Sequence, residues 1–225
     1  MEHLPVIILG IGGGAKDAYY WIKQCNKLPE ANGTFFDVIG FVSEDNKTIG
    51  TVFANGMKVI ASDDSIEKVF VKYEQMGVIL PFGFPRVKEK VYERINSYRN
   101  ILFPTIVHPS VIFDRDAGTL GCGNIIGPGT ILASEYRIGN FNYINTNCTL
   151  AHDVIVGDFN SINPMATISG NVTIGNGCLI GAGATVLQGL TIENGATLGA
   201  GAVLTKNAEH GKTYIGVPAK EMRGR

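Results

Sequence analysis

Counting from Leu120 in steps of six gives Ile126, Leu132, Ile138, Ile144, Leu150, Val156, Ile162, Ile168, Ile174, Ile180, Val186, Ile192, Leu198 and Leu204, all aliphatic. With roughly one residue in four being Ile, Leu or Val, chance supplies such a run on the order of once in a billion registers. Gly follows the aliphatic residue at Gly121, Gly127, Gly139, Gly157, Gly175, Gly181 and Gly199. Small or compact residues stand four after it at Thr130, Cys148, Ala166, Cys178, Ala184, Ala196 and Ala202. A helix repeats every 3.6 residues and an ordinary strand every two, so neither holds a six-residue phase. The period belongs to a parallel β-helix, in which each hexapeptide makes one short strand and one turn. The aliphatic side chain points into a narrow core, the small residue fits beside it, and Gly, Asn and Asp at the corners tolerate positive φ. One coil cannot bury its own core, so coils must stack.

The first hundred residues follow another rule. Strands are expected at 5–9 (PVIIL), 37–43 (DVIGFVS), 77–81 (GVILP) and 100–105 (NILFPT). Helices are expected at 15–28, 65–76 and 85–98, where apolar residues recur three and four apart. Strand–helix alternation implies a parallel sheet covered by helices. The fold class is therefore an α/β domain over 1–105 followed by a β-helix over 106–225.

A formal net charge of −1 gives no electrostatic footprint for nucleic acid or an acidic membrane surface. Cys25, Cys122, Cys148 and Cys178 lie far apart without a C-x-x-C pair, so free buried thiols are expected rather than a zinc site. The N-terminal stretch MEHLPVIILGIGGG has no basic leader, and its apolar run is too short to span a bilayer. A soluble cytoplasmic protein with no membrane insertion is expected.

Two stretches carry chemistry. TLAHDVIVGDF (149–159) sets an imidazole and a carboxylate, His152 and Asp153, into an otherwise bland repeat. An imidazole titrating near neutrality can take a proton, and an adjacent carboxylate can fix its tautomer or raise its pKa. Successive strand residues point to opposite faces, so the two can meet only at a turn or through a bent side chain. GIGGGA (10–15) fits G-x-G-x-x-A between a strand and a helix, and Glu44 and Asp45 follow the second strand. A dehydrogenase reads the same motif, but no second mononucleotide-binding half follows. The turn is better suited to hold a phosphate on backbone amides at the helix N-terminus. His108 is expected to be structural, and His3 and His210 solvated. Only His152 lies within the repeats, too few ligands for a metal-dependent β-helix hydratase.

The whole pattern resembles the bacterial sugar acyltransferases that join a Rossmann-like domain to a left-handed β-helix. These include sialic acid O-acetyltransferases and N-acetyltransferases of nucleotide-linked 4-amino sugars. The resemblance runs through ILGIGGGAKD, IGFVSED, FPTIVHPS, INTNCTLAHDVIVGDFNSINPMATISGNVTIG and IGVPAK. It implies left-handedness, acetyl-CoA as co-substrate without a metal, and a homotrimer with the coenzyme cleft shared between neighbours. It implies His152 as general base, Asp153 as its partner and the Gly170 amide as donor to the thioester oxygen. Coenzyme A would meet Gly170, Gly181, Ala182, Gly183 and Ala200, with Lys206 and Lys220 toward its phosphates. The nucleotide-linked amino sugar would meet Gly10, Gly12, Gly13, Gly14, Ser43, Glu44 and Asp45. Many relatives acting on 4-amino sugars carry a His in the glycine turn, where this chain has Gly14, and another after the IGDF segment, where it has Ser161. The expected activity is N-acetylation of a nucleotide-linked amino sugar in surface polysaccharide synthesis. The alternatives are O-acetylation of a sialic-acid-like sugar and a non-catalytic β-helix binding module.

Overall fold

The computed structural model describes residues 2–28 and 33–222. Two compact units emerge, Met1–Phe82 with Val87–Pro109, and Gly83–Arg86 with Ser110–Arg225. No helix among the described residues is long and apolar enough to cross a membrane.

The first unit is built on a sheet of six strands: β1 (Glu2–Leu9), β2 (Thr34–Ser43), β3 (Val52–Ala54), β4 (Met57–Ser62), β5 (Met76–Ile79) and β6 (Ile101–Leu102), in the order β3-β4-β2-β1-β5-β6. Pairing is parallel except in the β3–β4 hairpin. The helices are α1 (Gly13–Cys25), α2 (Glu67–Phe70) and α3 (Pro85–Ile95). Val6, Ile7 and Ile8 of β1 are fully buried, as a strand central in the sheet requires.

Three local departures from expectation have physical causes. Helix α1 stops at Cys25 because the Asn26 side chain donates to Phe36 O (2.8 Å) and accepts from Phe36 N (3.0 Å), tying the chain to β2. The expected helix over 65–76 shrinks to α2, since Asn100 Nδ2 donates to the carbonyls of Phe70 (2.8 Å) and Tyr73 (3.0 Å), ending the helix there. The β3–β4 hairpin was not expected at all. Its turn is Asn55-Gly56, both at positive φ (46° and 82°), a pair that by itself signals a hairpin.

In the second unit, strands pair in parallel with partners eighteen residues on, as Thr149↔Thr167 and Leu150↔Ile168 do, so three hexapeptides make one coil. Face I stacks Gly118–Leu120, Tyr136–Ile138, Ile155–Val156, Thr173–Ile174 and Thr191–Ile192. Face II includes Ile125–Ile126, Tyr143–Ile144, Ser161–Ile162, Leu179–Ile180 and Thr197–Leu198. Face III stacks Ile131–Leu132, Thr149–Leu150, Thr167–Ile168, Thr185–Val186 and Val203–Leu204. From Ile126 to Leu204 the six-step aliphatics are at most 3 % exposed, and the seven compact residues four after them are fully buried. Burying each such aliphatic side chain contributes about 1.5–3 kcal/mol, which stacking alone makes available.

The corners are equally periodic. Every sixth residue from Gly123 to Gly201 has positive φ. Toward the C-terminal end these are glycines, but the middle coils use Glu135, Phe141, Asn147, Asp153, Phe159, Met165 and Asn171. Asn and Asp were expected there; Glu, Phe and Met are not, because a left-handed conformation crowds their Cβ. Phe141 and Phe159 stack with ring centres 5.1 Å apart, which favours holding that pair in register. Inside the corner between faces I and II, a buried asparagine ladder replaces the compact residue. Asn142 N donates to Asn124 Oδ1 (2.8 Å), Asn160 N to Asn142 Oδ1 (2.9 Å) and Cys178 N to Asn160 Oδ1 (2.7 Å). Of the thiols expected to be buried, Cys25, Cys148 and Cys178 are, while Cys122 is exposed on a corner.

Candidate active site and nucleotide pocket

His152 and Asp153 form the turn between faces III and I. Asp153 has φ 59°, and this left-handed residue brings two consecutive side chains to one side, which a strand cannot do. His152 Nδ1 lies 2.7 Å from Asp153 Oδ2, and both side chains are 51 % exposed. With Asp153 ionised, the Nδ1 proton donates to Oδ2 and the Nε2 lone pair is left for an incoming group. The turn is braced by Asp153 N donating to Ser134 O (3.1 Å) and Asn171 N donating to His152 O (3.0 Å).

Gly170 occupies the same corner position one coil further on. A Cβ there would lie 2.5 Å from His152 Cε1 and 2.6 Å from Nε2, so the imidazole rests on the space a side chain would fill. Its C=O accepts from Gly189 N (3.0 Å). Gln188 and Lys206 continue this column, each two residues after an inward aliphatic. Lys206 is three coils from His152, about 14 Å at the usual strand spacing. Beside the column, Glu135, Arg137, Asp153, Ile155, Asn171 and Thr173 line a shallow cavity of about 270 Å³.

The expected coenzyme residues do not all meet the base. Gly181, Ala182, Gly183 and Ala200 lie at the corner between faces II and III, across face III from His152 in the same chain. Ala182, Gly183 and Ala200 are exposed, and a Cβ at Gly183 or Gly201 would meet nothing within 4 Å, which leaves an open backbone track there; Gly181 is instead buried, with a Cβ on it only 2.5 Å from Ala200 N. Between track and base, the outward residues of face III are Ile131, Thr149, Thr167, Thr185 and Val203, all uncharged. Lys220 lies in a separate short strand, Lys220–Glu221.

In the first unit, a cavity of about 490 Å³ opens at the carboxyl ends of the strands, where the chain leaves β1 for β2 on one side and β5 lies on the other. Such a switch point is where open α/β sheets bind ligands. Gly10, Gly12, Ser43, Glu44 and Asp45 line it as expected. Gly13 and Gly14 do not; they begin α1. Gly12 caps that helix without a side-chain hydrogen bond, so the first turn presents bare amides. Ser43 is buried, and its Oγ accepts from Asp45 N (3.1 Å). Leu9, Ile11 and Val42 also line it, and the sequence reading missed Thr48, Asp63, Phe82, Val87, Val91 and Arg94, which complete the lining. The spacing of Val87, Val91 and Arg94, four and three residues, was a usable signal for one helix face.

His3 is exposed and stacks on Phe35, His210 is exposed, and His108 is buried, with burial lowering its pKa. Among the described residues, no group of three or more His, Cys, Asp or Glu is placed to hold a metal ion.

The family described as bacterial transferase hexapeptide (six repeats) matches residues 171–206. No curated protein sequence matches the chain. Among solved structures, the acetyltransferase domain of PglB from Neisseria gonorrhoeae FA1090 is 28 % identical, covering 97 % of this chain and 99 % of that one, with a TM-score of 0.81. WeeI from Acinetobacter baumannii AYE is 27 % identical over 98 % of this chain and 100 % of its own, also at 0.81. The chain is an acyltransferase, similar in repeat and fold to these bacterial sugar acetyltransferases. The acyltransferase also shares its fold with PerB from Caulobacter crescentus, solved with CoA and GDP-perosamine (23 % identity, 97 % of each chain, TM-score 0.83).

Proposed function

We propose that the acyltransferase moves an acetyl group from acetyl-CoA to the amino group of a nucleotide-linked amino sugar, with a 4-amino sugar as the favoured acceptor. In this reading residues 1–105 form a Rossmann-like nucleotide-sugar domain and 106–225 a left-handed β-helix that carries the chemistry. The supporting observation is the His152–Asp153 pair on an exposed corner, with Nδ1 held and Nε2 open against Gly170. Other support comes from PglB, solved with acetyl coenzyme A at 26 % identity, and from PerB with CoA and GDP-perosamine.

The acceptor attacks as its neutral amine, because a protonated amine has no lone pair. His152 Nε2 takes a proton from the acceptor nitrogen as that nitrogen attacks the thioester carbonyl carbon. The Gly170 N–H is the donor for the oxygen that gains negative charge. Collapse reforms the carbonyl, breaks the carbon–sulfur bond and leaves the coenzyme thiolate, which takes the proton back from the imidazolium. Asp153 stabilises that imidazolium through Nδ1.

The separation of track and base within one chain favours a homotrimer in which each cleft is shared. The base corner of one subunit would face the Gly181–Gly183 and Ala200 track of its neighbour across the uncharged face III, with closed cyclic symmetry giving three such clefts. Lys206, about 14 Å along the base column, lies at a distance suited to coenzyme phosphates, with Lys220 as a second cation. A cytoplasmic role in surface polysaccharide synthesis follows from this substrate class.

The test is turnover of acetyl-CoA with a panel of nucleotide-linked amino sugars and their hydroxyl counterparts. His152→Ala should fold normally and lose about two to four orders of magnitude in kcat. A folded variant with near-native turnover removes His152 from the mechanism.

A further inference from the structure

The nucleotide cavity has an unusual charge balance for its expected occupant. Its described lining contains three carboxylates, Glu44, Asp45 and Asp63, and a single cation, Arg94. The glycine turn from Gly10 to Ala15 offers no cationic side chain. Lys16, the next residue, does not line the cavity; its Nζ sits over the Phe53 ring, 5.1 Å from the centroid. A diphosphate diester carries two negative charges near neutral pH. The amides at the start of α1 supply roughly half a positive charge, which cannot offset three carboxylates.

Arg94 is built to face this space. It follows Val87 and Val91 on α3 at spacings of seven and three, and all three line the cavity. Its Nη1 donates to Asp63 Oδ2 at 2.8 Å. Asp63 is itself fixed, because its backbone N–H donates to Ser43 O (3.0 Å) at the end of β2. A guanidinium has five N–H donors, and this pair commits one of them in the described structure. The pair tethers one end of the guanidinium and leaves the other donors for a ligand.

We propose that Arg94 anchors the diphosphate of a nucleoside-diphosphate sugar in this cavity, and that Asp63 is the positioning residue that holds its guanidinium. The inference rests on the nucleotide-sugar reading above. It supplies the positive charge that the glycine turn of this chain lacks, and it assigns the phosphates to the Gly10–Gly12 and α3 side. Glu44 and Asp45 are left to accept from the hydroxyls or N–H groups of the nucleoside.

The test is calorimetric binding of GDP, UDP, GMP, UMP, guanosine and uridine to the full chain, with CoA binding as the control for folding. Arg94→Ala should weaken the preferred diphosphate about 10- to 100-fold, the range for a lost charge-assisted hydrogen bond. It should collapse the preference for diphosphate over monophosphate and flatten the salt dependence, while nucleoside and CoA affinities change less than about threefold. Arg94→Lys should recover part of the loss, since a point charge replaces the fork. Asp63→Asn should weaken the diphosphate by less than Arg94→Ala. An unchanged diphosphate affinity in Arg94→Ala overturns the assignment. So does an equal loss for nucleoside and diphosphate, which would make Arg94 a reader of the base or a structural clamp. If the native chain binds none of the nucleotides, the nucleotide-sugar reading fails first, and the role of Arg94 with it.

Discussion

Gly170→Ala isolates the geometry of the proposed base. The added Cβ would lie 2.5 Å from His152 Cε1, 2.6 Å from Nε2 and 3.1 Å from Nδ1. Ordinary contact begins near 3.4 Å, so the ring must retreat by about 1 Å. The Nδ1–Oδ2 bond, 2.7 Å now, would stretch beyond hydrogen-bonding range or force Asp153 out of its turn. Misplacing a reacting group by about 1 Å can cost on the order of 10²-fold, or about 2.7 kcal/mol of transition-state stabilisation. Stability should not follow. The imidazole is half exposed and free to swing outward, and Gly170 does not sit at positive φ, so alanine is conformationally allowed. Such a substitution can gain about 0.4–1 kcal/mol from the unfolded chain.

The expected result is a kcat about 100-fold lower with an unchanged or slightly higher melting temperature. Steady-state kinetics and thermal unfolding read the two effects separately. The decisive comparison is the double variant. If alanine acts only by displacing the ring, His152→Ala with Gly170→Ala should be no slower than His152→Ala alone. Full activity in Gly170→Ala, or losses that multiply in the double variant, would refute the reasoning. The second outcome would mean that the space beside Gly170 is needed by the acyl group itself.

Three further outcomes are expected. Lys88 is 1 % exposed and burial lowers its pKa to about 7; the unfolded chain keeps that proton up to about 10.5 and so binds more protons in between, which makes stability rise with pH from about 7. Cys25 and Cys148, pushed up to about 11 by burial, act in the opposite sense above about pH 9, where two thiols outweigh one amine, so the urea midpoint should climb between about pH 7 and 8.5, level off near pH 9 and fall above it; a falling midpoint between about pH 7 and 8.5, or the same slope there in Lys88→Met, contradicts this. Asn142→Ala should cost about 3 kcal/mol in denaturant unfolding, because it strands the buried Asn160 N–H and the Gly157 carbonyl that Asn142 now satisfies. Mixing inactive His152→Ala chains with Ala182→Trp chains, whose exposed indole blocks the open track, should restore part of the activity; a mixture as inactive as its components argues against a shared cleft.

The β-helix was legible because its core is one-dimensional. A single inward aliphatic column per face fixes the phase, and every coil repeats the same demand. The asparagine ladder was less legible, since Asn124, Asn142 and Asn160 occupy positions where compact residues were expected, and only stacking shows that they satisfy one another. In the first unit, strands with continuous apolar runs were found to within a few residues, but the short β3–β4 hairpin hid behind its modest hydrophobicity. Asp63 follows that hairpin, so missing it also hid Asp63 as a neighbour of the glycine turn. Arg94 was missed because its helix was read only for its apolar stripe. The pairing of His152 with Asp153 could not be decided from spacing, since it depends on a left-handed turn that either residue order permits.

The corner explains why a site can arise here with so few polar residues. In each hexapeptide, the inward positions are committed to the core and the strand amides to the ladder. The second and third residues after the inward aliphatic make the corner, where side chains project from the edge of the prism. The third takes positive φ, which at Asp153 turns the carboxylate back onto the preceding imidazole. That imidazole then needs room above it, and the residue eighteen later must lack a side chain, as Gly170 does. A histidine two after the aliphatic, a carboxylate next to it and a glycine eighteen on are thus one structural requirement spread over two coils. Pro164, Ala182 and Ala200 occupy the same hexapeptide position on the next corner with no such combination, and there the backbone is left as an open surface. Under the proposed mechanism the same repeat supplies a chemical corner and a binding corner on opposite edges of one face, and a second copy would bring the two together.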